Sequence, residues 1–398
     1  MIKEEEIRIL GQLQSGIDNG TTEEAGGILR VPVSDYTSEE LFAREQQVLF
    51  KEQPMLIGLS SDLPEPDSYV ATNETGTPIL MTRDADGEFH AFSNICRHRG
   101  VQVVPEGRGG RGRFTCPFHA WTYKNSGELL AVTQEESFGC IDKGRQGLVE
   151  LPAAEKYGML WIRPSPGESV NVDDILGGLV SDMESLDLPG HKYEESQVLK
   201  TNMNWKLAID TYGESYHFAS LHKDTIGPDF YSNLQVSNAF GENFRWVVAS
   251  KLGFKYVHDS GLVIEEWPYH WITTTIYFFF PNTILLRSPE GFDLARIYPD
   301  ENNLGKSRTH FSFYMGKQDM REHFGWSPPE ESHWVGFNRV IRDEDYAAAA
   351  SSQLGVDSGT LTHITLGRNE LTLHHYHNVY RRALGLPALE LQEAQNVS

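Results

Sequence analysis

The sequence predicts an α+β chain of two domains, an all-β domain followed by one that sets helices against an antiparallel sheet. Three observations predict it. From about residue 54, short β-rich runs (MLIGLS, SYVATN, PILMTR, EFHAFSNI) are separated by Gly, Pro, Asp and Asn. Residues 203–222, 333–354 and 368–385 have helical character, while 235–315 is rich in aromatic and β-branched residues. Strands and helices fall in runs and not in the strict alternation of a parallel sheet.

In chain order, residues 1–50 read as a polar helical segment that packs on the second domain. Ser38-Glu39-Glu40 starts a helix through LFAREQQVLF, with Leu41, Phe42, Val48, Leu49 and Phe50 as its apolar positions. Residues 51–165 form the β domain. There PILMTRDADGEFHAF reads as a hairpin with Asp86-Gly87 supplying the positive-φ turn, and Asn125-Ser126-Gly127 marks a second turn. Pro164, Pro166 and Gly167 close that domain, and residues 166–398 form the second. The most apolar stretch, 272–286, carries threonines, a proline and an asparagine. It reads as two buried strands, 273–280 and 283–286, and is too short and polar to span a bilayer.

A chain of 398 residues with 39% hydrophobic and 23% charged residues is an ordinary globular protein with room for two cores. Its formal charge of −22 repels phosphate backbones and anionic lipid heads, which argues against nucleic-acid and membrane-surface roles. It suits docking to a basic patch on a partner, although many soluble proteins are simply acidic. MIKEEEIRIL lacks the charged-then-apolar pattern of a signal peptide, so a cytoplasmic location is expected. Three cysteines exclude a disulfide framework.

Two of those cysteines carry chemistry. Residues 96–98 read Cys-Arg-His and 116–119 read Cys-Pro-Phe-His, with seventeen residues between His98 and Cys116. Each half offers one thiolate and one imidazole, so Cys96 and Cys116 can hold one iron while His98 and His119 hold the other. That is the Rieske [2Fe–2S] arrangement. A Cys₂His₂ zinc site uses the same ligand types, but zinc motifs usually place two or more residues between paired ligands, and Cys-x-His places one. Cys140 has no such partner and reads as an inert small residue.

With CRHRG at 96–100 and CPFHAWTY at 116–123, the chain resembles the Rieske domain of ring-hydroxylating oxygenase α-subunits. Ala120 stands where that family more often has glycine. Respiratory Rieske proteins carry an extra cysteine in each loop; Val101 and Phe118 occupy those positions here, which points to the oxygenase type.

The second constellation is NWKLAIDTYGESYHFASLH at 204–222. His217 and His222 are five apart, about 140° around an ideal helix, so they meet at one metal only if the helix ends or distorts between them. Two histidines and a carboxylate make the facial triad of non-haem Fe(II) oxygenases. Alone, His-x₄-His is a weak signal. In this order after the first motif it is similar to the same family's catalytic site. The resemblance implies that Glu214 bridges His217 to a cluster ligand of a neighbouring subunit; aspartate is commoner there, and glutamate occurs in the branch that includes carnitine monooxygenase. Asp210 and Asn204 are candidates for supporting positions near the iron. For the third ligand, RDEDYAAAASSQLG at 342–355 resembles the family's Glu-Asp pair followed by Gln and Gly at fixed distance, with Asp345 eight residues before Gln353. Asp343 and Asp345 lie about 200° apart on a helix, and Asp343 reads as an exposed acid. The histidines of GRNELTLHHYHNVYRRAL, 367–384, read as polar-face or packing residues.

The resemblance implies a helix-grip (START-like) second domain that cradles an apolar cavity. It also implies a homotrimer, with or without a β-subunit, in which one subunit's cluster faces the next subunit's iron. Electrons then come from NAD(P)H through a separate ferredoxin or flavin reductase, and the substrates are O₂ and a small organic molecule. An aromatic compound stands first on family frequency, and a quaternary ammonium ion such as carnitine or choline second because of Glu214. A bare Rieske electron carrier would need only the first 165 residues, and a helix-grip binding protein would need no cluster.

Overall fold

A computed structural model describes residues 1–316 and 333–393. The chain divides into two compact units, one of residues 46–174 and 187–190, the other of 1–45, 175–186 and 191–398.

The smaller unit is all-β. A four-stranded sheet runs Phe89–Ser93, Ile79–Arg83, Ser68–Thr72, Gly107–Gly110; two three-stranded sheets are built from Ala153–Lys156, Met159–Ile162, Met55–Leu59 and from Arg113–Thr115, Thr122–Lys124, Leu129–Ala131. The hairpin 79–93 forms, but Arg83 pairs with Phe89, so its loop is the five residues 84–88 and not a two-residue turn. Gly87 takes the expected positive φ of 87°. The Asp84 carboxylate accepts the N–H groups of Asp86 and Glu88, which stabilises the longer loop. This unit reaches past residue 165: the Ser165 hydroxyl donates to Lys51 O, and Asp173 accepts from Tyr157.

In the larger unit seven antiparallel strands lie in the order Lys192–Thr201, Ser307–Met315, Gly291–Pro299, Thr283–Ser288, Thr273–Phe279, Asn243–Ser250, Phe230–Phe240. Both faces are covered, which is why strand 273–279 is buried at every position instead of alternating. On one face Val247 and Ala249 pack with Ile9, Leu10 and Leu13 of helix Lys3–Asn19 and with Phe254 and Val257 of helix Lys251–Ser260. On the other, Phe278 meets Tyr376 of helix Leu371–Ala383, ring centroids 5.3 Å apart. Helix against antiparallel sheet is the expected grip.

The N-terminal segment is not wholly helical. Leu29–Pro32 is a strand paired with His363–Leu366, which ties the two ends of the larger unit. The helix expected from Ser38 spans Glu39–Val48, and the division falls within it because Glu45 is buried on the larger unit's side. There its carboxylate receives the Trp205 indole N–H, the Lys206 ammonium and the Tyr380 hydroxyl. Among the described residues no helix is long and apolar enough to cross a membrane.

Candidate metal centres

Cys96 and Cys116 sit at the starts of two loops built alike. In each the cysteine carbonyl accepts an N–H from four residues on, Gly100 at 3.0 Å and Ala120 at 3.0 Å, and each cysteine N–H returns to a carbonyl at 2.8 Å, of Val101 and Trp121. Closing such a loop takes a left-handed residue. Gly100 has φ 74°, and Ala120, despite its Cβ, has φ 56°. Both cysteines are buried, and the Cys96 sulfur is 3.2 Å from the Tyr123 hydroxyl, which also accepts the Arg97 N–H. The His98 and His119 rings lie 4.6 Å apart, with His98 stacked on Trp121. Burial, His119 and Arg99 lower the His98 pKa, which favours the neutral imidazole that binds metal. Two buried sulfurs, two facing imidazoles and an orphaned His98 Nδ1 fit a cluster ligated by both element types. Phe118 and Phe138 stand exposed beside the rings. Cys140 is exposed and free.

In the larger unit, helix Trp205–Asp210 stops well before the histidines, and a single 3₁₀ turn, Tyr216–Ala219, carries His217. Gly213 permits this break: a Cβ there would lie 2.1 Å from Leu373. After His222 the chain turns back, with Thr225 N and Gly227 N donating to His222 O at 3.0 and 2.8 Å. The helix distortion that the spacing required is therefore present, and the two Nε2 atoms lie 3.1 Å apart. Asp345 enters from a π-helical turn, Ile341–Asp345, and puts Oδ1 3.4 Å from His217 Nε2 and 3.1 Å from His222 Nε2. One ligand atom from each of the three lies within 4.8 Å of the others. Asp345 is buried and its Oδ1 has no hydrogen-bond partner, an orphaned acceptor that a metal ion would satisfy. Asp343 points outward, paired with Arg342.

Each histidine is held at Nδ1 by a carboxylate. Glu214 takes His217 Nδ1 through Oε1 and the backbone N–H groups of Tyr216 and His217 through Oε2. Glu344, which the sequence reading did not single out, lies 2.6 Å from His222 Nδ1. Burial opposes charging of His217, but the carboxylates of Asp345 and Glu214 outweigh it and carry its pKa up to about 10, so a metal must displace a proton there.

Asp210 and Asn204 lie elsewhere. Asp210 accepts the Tyr36 hydroxyl at 2.9 Å and pairs with buried His377, also at 2.9 Å, so it is committed to helix packing. Asn204 caps helix 205–210 through Lys206 N and holds Tyr36 O and Leu304 O. Neither lines the cavity beside the metal-ligand cluster.

That cavity, about 1050 Å³, lies against the sheet and under helix His333–Val340. Tyr212, Phe218, Phe230, Trp246, Phe313 and Phe337 give it aromatic walls, and Glu194, Glu195, Asp224, Glu290 and Asp293 also line it. Asp293 is buried and 2.6 Å from His333, which stacks on Phe313. Burial opposes charging of His333, but hydrogen bonds to Asp293 and Glu290 carry its pKa up to about 9.

Residues 53–148 match the Rieske [2Fe-2S] domain family, and residues 189–386 the ring hydroxylating alpha subunit (catalytic domain) family. Over 339 residues the chain is 24% identical to the carnitine monooxygenase oxygenase subunit of Acinetobacter baumannii, covering 81% of this chain and 84% of that relative. A crystal structure of a quaternary ammonium Rieske monooxygenase in complex with L-carnitine superimposes with a TM-score of 0.71 at 20% identity, over 89% of this chain and 96% of the other. Naphthalene 1,2-dioxygenase from Rhodococcus sp., bound to indole, gives 0.71 at 18% identity, over 94% and 97%. Equal scores at such identities describe a fold and do not choose a substrate.

Proposed function

We propose, from the premise that the chain belongs to the family of Rieske ring-hydroxylating oxygenase α-subunits, that it is the terminal oxygenase for a small quaternary ammonium compound. It is a Rieske-type oxygenase, and it carries a Rieske [2Fe–2S] cluster and a mononuclear iron. The aromatic substrate expected first from the sequence gives way because the carnitine relative supports the second reading.

The observation that carries the proposal is the sign of the cavity. Besides Asp345, its described lining includes Glu194, Glu195, Glu214, Asp224, Glu290 and Asp293 against Arg339 and the imidazoles of His217, His222 and His333, of which His217 and His333 have pKa values raised to about 10 and about 9. A trimethylammonium group has no N–H to donate, so it is recognised by charge and by aromatic faces, and the cavity offers both. A neutral hydrocarbon would desolvate those carboxylates without compensating them.

In this reading Cys96, His98, Cys116 and His119 hold the cluster, and His217, His222 and Asp345 hold the iron. When bound, the cluster supplies single electrons and the iron supplies the site for O₂ activation. The protein's part is positional. Glu214 fixes the His217 ring and, in a trimer, also meets a cluster ligand of the next subunit. The aromatic walls exclude water and hold the substrate's carbon toward the His217, His222 and Asp345 side. A native mass of three times the 45.0 kDa chain is expected.

The test is a screen of purified protein with a surrogate reductase against carnitine, betaine, choline, benzoate and naphthalene. O₂ uptake and product mass are the readouts. Product from the cations supports the reading; turnover confined to neutral or anionic aromatics would sink it.

A further inference from the structure

We infer that Glu344 is a positioning residue for the iron, acting through His222 and joining the two separate pieces of chain that supply the ligands. The inference rests on the reading of His217, His222 and Asp345 as those ligands.

His222 is almost completely enclosed, with 1% of its side chain exposed, so water cannot serve its Nδ1. That nitrogen finds Glu344 Oε2 at 2.6 Å. With Nδ1–H donated to the carboxylate, the neutral ring carries its lone pair on Nε2, the atom 3.1 Å from Asp345 Oδ1. The hydrogen bond therefore fixes both the tautomer and the rotation of the ring, and it raises the donor strength of the nitrogen that faces the metal.

The same oxygen accepts the Thr225 hydroxyl at 2.7 Å. Thr225 belongs to the turn that closes on His222 O. Glu344 thus grips both the imidazole and the backbone turn that carries it, from a point 122 residues along the chain. Glu214 cannot do this for the site, because it lies three residues from His217 and holds only its own turn. The widened π-helical turn Ile341–Asp345 lets two consecutive residues reach inward, Asp345 toward both Nε2 atoms and Glu344 toward His222 Nδ1. Besides Glu344, what joins the Asp345 helix to the His222 turn in this set is the Asp345 Oδ1–His222 Nε2 contact at 3.1 Å, the one a bound metal would replace.

The experiment compares Glu344→Ala, Glu344→Gln and Asp345→Ala in the full-length protein with its cluster loaded. Iron per chain is measured after competition with a chelator. The paramagnetic resonance signal of the ferrous site with nitric oxide is recorded, and Rieske absorbance reports that each variant is folded. Glu344→Ala should bind iron about 10–100-fold more weakly and alter the nitric oxide signal. Glu344→Gln, whose amide oxygen still accepts from Nδ1 and Thr225, should recover most of the iron and the signal. If Glu344→Ala keeps iron and the wild-type signal while Asp345→Ala loses iron, the inference is overturned and the ligand reading stands. If Gln rescues no better than Ala, the positioning role is likewise overturned. If Asp345→Ala itself keeps iron, the ligand reading falls and this inference with it.

Discussion

Replacing Lys206 with methionine should unfold the larger unit far more easily. Lys206 and Glu45 form an ion pair in which each side chain is 1% exposed. The ammonium lies 5.0–5.8 Å from the ring centroids of Trp205, Tyr380 and Tyr36, so methionine fits the slot by shape. What it cannot supply is charge. Glu45 would keep the Trp205 N–H and the Tyr380 hydroxyl as donors but would remain a buried anion without a counter-ion. Breaking a buried pair from one side costs about 3–5 kcal/mol. At an m value of about 3 kcal/mol/M this lowers the urea midpoint by about 1–1.7 M. The double variant Lys206→Met, Glu45→Gln should regain most of that loss, because it buries no lone charge. The assay is equilibrium urea unfolding followed by tryptophan fluorescence and far-UV circular dichroism. A single-variant shift under about 0.3 M, or a double variant no better than the single, would refute the reasoning.

Asp345→Ala should lose mononuclear iron and turnover while the Rieske spectrum survives, and Asp343→Ala should change neither; iron analysis of both variants checks this. Glu214→Gln, which keeps one acceptor oxygen but turns an NH₂ toward either the His217 imidazole or the Tyr216 and His217 N–H groups, should retain both metals but slow transfer of the cluster's electron in a single turnover of pre-reduced enzyme; near-normal rates at full metal content would reject the bridging role. Ala120→Gly should stabilise the cluster loop by about 1 kcal/mol by removing the Cβ from a left-handed position. Slower thermal bleaching of the Rieske absorbance is the readout.

The parts of the site legible in the sequence were those fixed by spacing within a short segment. Cys-x-His and Cys-x-x-His each define a loop by themselves, and the five-residue interval between His217 and His222 already demanded a helix break. Helix geometry said only that one of Asp343 and Asp345 could face the metal; the family's spacing, eight residues before Gln353, chose Asp345, and the structure places Asp343 in solvent and Asp345 inside. Glu344 was visible as the first member of the Glu-Asp pair, but its role was not legible. An ordinary helix argument selects one inward position near 345, and nothing local announces a π-helical turn. Glu45 was equally silent, since a glutamate in a polar amphipathic helix carries no mark of a lysine 161 residues away. Asp210 and Asn204 were placed near the iron by their position in the motif. Their side chains are instead held by Tyr36 and His377 and by the helix N-terminus, partners that only the tertiary fold brings up.

The charge of the cavity shows why substrate class was the least legible property. The net −22 is a surface average and says nothing about which acids turn inward. Asp293 and Glu290 lie on or beside one sheet strand, Glu194 and Glu195 on the edge strand, and His333 on a helix, so no sequence window contains them together. Their balance is also not a simple count. His333, with its pKa raised to about 9, stays charged at neutral pH and pairs with Asp293, whose pKa burial and neighbouring Glu290 raise against the pull of that imidazolium. Glu290 shares the same imidazole at 3.5 Å, so two carboxyl groups face one cation beside Phe313 and Phe337. An uncharged ring entering the cavity would strip water from these charged groups and return nothing to them. A methylated ammonium ion returns charge without needing a hydrogen bond in a fixed direction, and its methyl groups pack on the aromatic faces. The fold is shared with enzymes of both substrate types, so the proposal of a cationic substrate rests on these few carboxylates and not on the architecture that carries them.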